Sequence, residues 1–137
     1  MRIVLDTNVL ASALLSPHGT PARILELALT GLVTVVFDDR VLVEYEEVLS
    51  RPKLQIPASE STYVLDFLAS EGMLVSPTPV ALELPDPDDL PFVEVASAAD
   101  VDALVTGNTR HFAPAIEALA IPILSPAEFL ALWHERG

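Results

Sequence analysis

The sequence predicts an α/β protein whose five strands form a parallel sheet covered by helices on both faces. Short apolar runs rich in β-branched residues alternate with longer stretches in which apolar residues recur at helical spacing. Such alternation favours parallel strands joined by right-handed helical crossovers. No internal repeat, low-complexity tract or long linker interrupts the 137 residues, so we expect one domain over residues 1–137.

The chain opens with a strand and two helices. Residues 2–6 form a β-branched apolar run of the buried-strand kind, and residues 8–16 read as a helix. A second helix is predicted over residues 20–30, because Thr20 suits the N-cap and Pro21 suits the first helical position.

The second strand, residues 32–37, leads into a helix with a polar cap. Either Asp38 or Asp39 caps this helix, which runs to about Ser50 and stops before Pro52.

The middle of the chain holds a helix, a short strand and a loop. A helix over residues 59–70 ends at Gly72, and the strand at 73–76 follows it. Prolines and acidic residues fill the segment 80–91, which predicts a loop before the next helix at 92–99.

The last elements continue the alternation. Strands are predicted at 103–106 and 121–124, separated by a short helix within 110–119 that Pro114 interrupts. Ser125 caps a final helix that runs to about residue 135.

Composition excludes several kinds of function. The chain has no cysteine, so disulfides, thiolate metal sites and cysteine nucleophiles are absent, and any metal must be held by oxygen or imidazole. Twenty acidic residues against seven Lys and Arg give a net charge of −13, which disfavours a broad basic surface for nucleic acid. The apolar stretch 3–15 is broken by Asp6 and Asn8 and is too short for a membrane span, so we expect a cytoplasmic protein without a membrane anchor.

Acidic residues dominate the centre of the sequence. No Lys or Arg occurs from Gln55 to Thr109, so the carboxylates there have few cations to pair with. Most are expected on a solvated surface, but a few that converge would suit Mg²⁺ or Mn²⁺, which prefer carboxylate oxygen.

Polar residues follow the first and fourth predicted strands. Parallel sheets bind ligands beyond the carboxyl ends of their strands, where the strand order reverses. The first strand ends in Asp6, Thr7 and Asn8, and the fourth ends in Thr106 and Asn108. If these strands are neighbours, their polar ends face one crevice.

Glutamates of the third predicted helix are candidates to complete this crevice. The apolar stripe of that helix contains Tyr45 and leaves Glu47 pointing away from the core. Glu44 and Glu46 flank the stripe at similar angles, so helical periodicity alone does not choose between them.

Four segments carry the most specific motifs of the sequence: Val4–Leu10, Glu44–Lys53, Asp86–Ala96 and Leu104–Phe112. Together they resemble the motif blocks of PIN domains, in the same order and at similar spacing. The resemblance covers nearly the whole chain and is closest to toxin components of toxin–antitoxin systems, similar to VapC-type ribonucleases.

The family resemblance implies a fold, an activity and a set of site residues. It implies a three-layer α/β/α sandwich with strand order 3-2-1-4-5 and a metal-dependent endoribonuclease that uses Mg²⁺ or Mn²⁺. By position, Asp6, Glu44 and Asp89 match the family's metal-binding acids. Asn108 stands where many relatives carry a fourth acid; it offers an amide oxygen but no charge, which bears on a second metal.

Each site residue has an ordinary structural alternative. Asp6 would also suit a helix cap, Glu44 an exposed helix position, and Asp88 competes with Asp89 to cap the following helix. Asn8 and Asn108 would suit turns. His18, His111 and His134 lack metal-ligand spacing, and Arg110 either touches RNA phosphate or pairs with an acid.

Two other functions compete with the nuclease. A phosphatase of the haloacid dehalogenase type also begins with an aspartate after the first strand, but it needs a second acid where this chain has Asn8. A catalytically idle PIN-like binding module is the alternative that Asn108 and the acidic surface support. The resemblance to VapC-type ribonucleases implies an RNA substrate, a cognate antitoxin and a homodimer.

Overall fold

The computed structural model describes residues 1–136, in which five strands and seven α-helices alternate. The strands are β1 (Arg2–Leu5), β2 (Thr34–Phe37), β3 (Met73–Leu74), β4 (Ala103–Val105) and β5 (Ile123–Leu124). The helices are α1 (Thr7–Leu15), α2 (Thr20–Leu29), α3 (Asp39–Leu49), α4 (Ala58–Glu71), α5 (Leu90–Ala99), α6 (Ala113–Leu119) and α7 (Pro126–Arg136). Short 3₁₀ turns occupy Pro52–Leu54, Pro87–Asp89 and Thr109–Phe112. Gly137 lies outside the described residues, and the single domain over 1–137 stays a prediction.

All the strand pairs of the sheet are parallel, and the order is β3-β2-β1-β4-β5. Helices flank the sheet to give a three-layer α/β/α sandwich, so the predicted fold class and strand order are confirmed. In the central pair, Leu5 stands opposite Val105. This register places the residues that follow β1 and β4 side by side at the carboxyl edge.

The two central strands, β1 and β4, are buried on both faces. Ile3, Val4 and Leu5 of β1 are each at most 1% exposed, and the three residues of β4 are fully buried. Continuous apolar runs of this kind are typical of parallel strands between two helix layers. The two central strands therefore form the rigid base from which polar residues project.

Helix caps explain where two of the helices begin. Asp38 caps α3, since its carboxylate accepts a hydrogen bond of 2.9 Å from the Val41 amide, and this settles the choice that the sequence left between Asp38 and Asp39. Ser125 caps α7 as predicted: its hydroxyl accepts from the Glu128 amide, and the Glu128 carboxylate accepts from the Ser125 amide.

Two boundaries near α2 differ from prediction. Gly19, and not Thr20, is the N-cap, and the helix already begins at Thr20. Strand β2 begins at residue 34 instead of 32, because the Leu32 and Val33 amides both bond to the Leu27 carbonyl and close the end of α2. The two residues before the strand therefore belong to a helix-terminating turn.

Pro114 does not interrupt a helix, contrary to prediction. It lies in the first turn of α6, where a backbone amide has no partner inside the helix, so its missing N–H costs nothing. The residues before it, Thr109–Phe112, form a separate 3₁₀ turn.

One carboxylate of the acidic central stretch is buried and paired. Glu94 of α5 accepts hydrogen bonds of 2.8 Å from Arg40 and 2.7 Å from the Val80 amide. Arg40 also contacts Asp38, so this network joins α3 and α5 to the proline-rich segment. No helix within residues 1–136 is long and apolar enough to cross a membrane.

Candidate functional site

Asp6 lies at the centre of the carboxyl edge, directly after β1. Its backbone amide donates to the Val105 carbonyl at 2.9 Å and extends the pairing of β1 with β4. Although Asp6 is the N-cap residue of α1, its side chain makes no capping hydrogen bond. The buried carboxylate accepts a hydrogen bond of 2.8 Å from the Thr106 hydroxyl instead. The Thr106 hydroxyl, from the neighbouring strand end, is therefore the side-chain donor that holds this aspartate.

Glu44 reaches the same edge from helix α3. Its carboxylate accepts a hydrogen bond from the hydroxyl of Thr7, the residue after Asp6. Tyr45 fixes the helix here, because its fully buried hydroxyl donates to the Leu5 carbonyl at 2.6 Å. Glu46 is exposed. Of the two glutamates that periodicity could not separate, the structure thus brings Glu44 to the strand ends.

Asp89 enters from the proline-rich segment. It ends the 3₁₀ turn Pro87–Asp89 and is the N-cap residue of α5, but its side chain makes no capping hydrogen bond. The partly buried carboxylate lies 3.8 Å from His111 Nδ1. Asp86 has a local role, since its carboxylate accepts from the Asp88 amide at 2.9 Å. Asp88 is exposed, whereas Asp89 is partly buried and feels the charge of Asp6, so the side chain of Asp89 is the one at the site.

Asn108 lies at this edge as well, but its side chain is not joined to the three carboxylates. Its backbone amide donates to Thr106 Oγ1 at 3.0 Å. The side chain is exposed and makes no hydrogen bond to any residue of the described chain. It lines a polar pocket of about 390 Å³ formed by residues 107–111.

The three carboxyl groups share one unfavourable electrostatic environment. Burial raises the pKa of Asp6, against the opposing effect of the Thr106 hydrogen bond. Burial also raises the pKa of Glu44, with a further contribution from the charge of Asp6. The pKa of Asp89 rises to about 6 because of burial and the charges of Asp6 and Asp86. Within residues 1–136, no Lys or Arg pairs with any of the three.

The carboxylates approach one another without surrounding a common point. In the part of the chain described, no three His, Asp or Glu side chains stand close enough to hold one metal ion in this conformation. The hydrogen bond from Thr7 directs Glu44 toward α1. The donor atoms are nevertheless those that a hard cation prefers, namely carboxylate oxygens.

Three residues of the site received no role from the sequence. Thr7 and Thr106 hold Glu44 and Asp6 respectively, and their place at the strand ends was the available signal. His111 has no metal-ligand spacing in the sequence, yet folding brings it beside Asp89. The one sequence signal for a site role of His111 is its position in the loop after β4.

Comparison with known proteins identifies the family. A family model described as the PIN domain matches residues 2–110, a span that contains all four predicted site residues. The chain belongs to the PIN domain family. The family predicted from the four motif segments is therefore confirmed.

Two other proteins resemble this PIN domain. An uncharacterised protein of Methanocaldococcus jannaschii is 28% identical over 111 residues, which are 79% of this chain and 71% of that protein. A chain in the crystal structure of VapBC2 from Rickettsia felis, bound to a DNA fragment from their promoter, superposes with a TM-score of 0.59. The alignment covers 91% of this PIN domain and 98% of that chain at 20% identity, so it shows likeness of fold.

Proposed function

We propose that this PIN-domain protein is a metal-dependent endoribonuclease, acting in the cytoplasm as the toxin component of a toxin–antitoxin pair. The observation that carries the proposal is the approach of Asp6, Glu44 and Asp89 to one another at the carboxyl edge of β1 and β4, each with a raised pKa. PIN domains are generally nucleases that use divalent metal ions, and membership in the family supports the same chemistry here.

The donor set fits Mg²⁺ or Mn²⁺, and we assign Asp6, Glu44 and Asp89 as the residues that hold it. All three offer carboxylate oxygen, and no Lys or Arg within residues 1–136 neutralises them. Such a cation supplies a water of lowered pKa and charge compensation for a phosphate oxygen. The Thr7 hydroxyl bonds one oxygen of the Glu44 carboxylate, Oε2, and the other oxygen would serve the cation.

The protein's own residues position these acids. Thr106 holds the Asp6 carboxylate against β4, and Tyr45 fixes the turn of α3 that carries Glu44. Asn108 follows Thr106, and we assign it a supporting role in the site through its amide, which supplies a hydrogen bond or an oxygen ligand without charge.

An antitoxin partner and a homodimer belong to the same proposal. The fold is similar to a chain of VapBC2, which was crystallised with promoter DNA, and the motif segments resemble VapC-type ribonucleases. A net charge of −13 repels RNA at low salt, so capture depends on the cation, on a few arginines or on a partner's basic surface.

The alternative of an idle PIN-like binding module rests on Asn108 and on the acidic surface, which gives a net charge of −13. Asn108 supplies no charge at the position where many relatives carry an acid, and its side chain makes no hydrogen bond to the three carboxylates. An idle module of this kind would show no Mn²⁺ binding that depends on Asp6.

RNA cleavage tests the proposed function directly. Purified protein is incubated with end-labelled single-stranded RNA in Mn²⁺, in Mg²⁺ and in EDTA. We expect cleavage only with metal, and a loss of about 100-fold or more in Asp89→Asn. Asp86→Asn is the matched control, since it changes the same residue type in the same turn and keeps an acceptor for the Asp88 amide.

Two results would contradict the proposal. Cleavage that continues in EDTA would exclude metal dependence. Equal activity of the Asp86→Asn and Asp89→Asn proteins would remove Asp89 from the site.

A further inference from the structure

The loop after β4 forms a polar pocket that differs in charge from the rest of the protein. Gly107, Asn108, Thr109, Arg110 and His111 line it. No acidic residue occurs between Asp102 and Glu117, although the whole chain carries a net charge of −13. The pocket therefore offers hydrogen-bond donors and a cation in a protein that otherwise repels anions.

Arg110 is free to bind an anion. Its guanidinium is exposed and has no ion-pair partner within residues 1–136. Three of the other arginines, by contrast, pair with acids: Arg40 with Asp38 and Glu94, Arg51 with Glu47, and Arg136 with Asp102. Of the two roles that the sequence left open for Arg110, pairing with a nearby acid is the one the structure does not show.

Residues at both ends of the pocket contact the candidate site. At one end the Thr106 hydroxyl donates to Asp6 at 2.8 Å and accepts from the Asn108 amide at 3.0 Å. At the other end His111 Nδ1 lies 3.8 Å from the Asp89 carboxylate. The pocket therefore adjoins the residues that contact the Asp6 and Asp89 carboxylates.

We propose that residues 107–111 form a subsite for a backbone phosphate of the RNA, next to the phosphate that is cleaved, with Arg110 as its main ligand. The inference rests on the proposed function and extends it to substrate binding. A planar guanidinium donates two parallel hydrogen bonds to phosphate oxygens. The side-chain amide of Asn108 and the hydroxyl of Thr109 add neutral donors. Only His111 of the five lining residues carries an aromatic ring, and the pocket is lined mainly by groups that donate hydrogen bonds to phosphate oxygens.

A contact of this kind strengthens binding without reading sequence. Phosphate contacts fix the position of a strand, whereas sequence is read through the bases. Neutralising one phosphate of a single strand changes the slope of log K against log salt by about 0.7. Loss of Arg110 should therefore weaken every RNA equally and reduce the salt dependence.

The test measures binding in EDTA, so that metal-dependent cleavage does not occur. Fluorescence anisotropy gives the Kd of labelled oligo-U and oligo-A for wild type, Arg110→Gln and Arg110→Lys at several salt concentrations. Arg23→Gln is the matched control, because Arg23 is also exposed and without an ion pair in the described chain but belongs to α2 and lines a groove against α7. Both glutamine variants change the net charge equally.

We expect Arg110→Gln to raise Kd about 5- to 20-fold for both RNAs and to lower the salt slope by about 0.7. Arg110→Lys should restore the slope but only part of the affinity, because lysine lacks the planar fork. Arg23→Gln should stay within about twofold of wild type.

Several outcomes would overturn the subsite. These are equal losses of RNA affinity in the Arg110→Gln and Arg23→Gln proteins, a change in Kd for only one of the two RNA sequences, and no measurable RNA binding by wild type. The experiments distinguish failure of the phosphate subsite from failure of the proposed nuclease function. An Arg110 effect on binding without metal-dependent cleavage would refute the nuclease alone, whereas cleavage with unchanged Kd in Arg110→Gln would refute the subsite alone.

Discussion

The Thr106 hydroxyl donates a hydrogen bond of 2.8 Å to the Asp6 carboxylate, across 100 positions of the chain. The two residues meet because β1 and β4 are adjacent in the sheet and end at the same edge. The same hydroxyl oxygen accepts the Asn108 amide. One side chain thus links the most buried acid of the candidate site to the loop that forms the polar pocket.

Removing that hydroxyl should destabilise the fold and raise the pKa of Asp6 further. Thr106→Val keeps the shape of the side chain but leaves the buried carboxylate without its donor, which costs about 1–3 kcal/mol. Urea unfolding gives the free energy, and NMR titration in EDTA gives the pKa. Thr106→Ser, which keeps the hydroxyl, should lie close to wild type. Equal stability of the valine and serine proteins would show that the hydrogen bond contributes nothing.

Asp89 should make the metal-free protein less stable as pH rises. Its pKa of about 6 in the fold exceeds the value of about 4 expected in the unfolded chain, so the fold favours the protonated carboxyl. This contribution is fully present below about pH 4 and is lost as pH rises through 6. Asp89→Asn should therefore be more stable than wild type at pH 7, with the difference shrinking toward pH 4.

Urea unfolding in EDTA across this pH range checks the Asp89 prediction. Asp66→Asn, at an exposed position of α4, controls for the change in net charge. If both variants gained equal free energy of unfolding at pH 7, general charge repulsion would account for the effect. The raised pKa of Asp89 would then not explain the stability difference.

Position 108 tests whether an additional carboxylate assists the metal. Asn108→Asp is nearly isosteric and adds one negative charge at the edge of the site. The affinity for Mn²⁺ should rise at least several-fold, because Coulomb attraction at contact range is large even at an effective dielectric of about 20. RNA cleavage should then appear at lower Mg²⁺. Calorimetry and gel assays compare wild type, Asn108→Asp and its double variant with Asp89→Asn. Unchanged affinity and activity in Asn108→Asp would place position 108 outside the reach of the cation.

Sequence patterns predicted the fold well because each element carries local signals. Alternating buried strands and capped helices gave the α/β class, and the motif resemblance gave the strand order that the structure confirms. The errors fall where an element ends. At Leu32 and Val33, hydrogen bonds to Leu27 override β propensity. Pro114 falls in the first turn of α6, which follows a separate 3₁₀ turn, and not inside one longer helix.

The site was predictable only in part, since its contacts join distant segments. Helical periodicity could not separate Glu44 from Glu46, because the choice depends on where α1 places Thr7. Likewise, nothing near His111 in sequence indicates Asp89, and the partner of Glu94, Arg40, comes from outside the acidic stretch. These pairings follow from the packing of helices against the sheet, which local patterns do not encode.

The most direct test of the metal assignment is the shift in Tm that Mn²⁺ produces in wild type and in Asp6→Asn. Cation binding relieves repulsion among Asp6, Glu44 and Asp89, so wild type should gain several degrees at saturating Mn²⁺. Asp6→Asn should fold with the same circular dichroism spectrum and lose most of that gain, while Asp66→Asn should keep it. An equal Mn²⁺-induced shift in wild type and Asp6→Asn would contradict the proposed site.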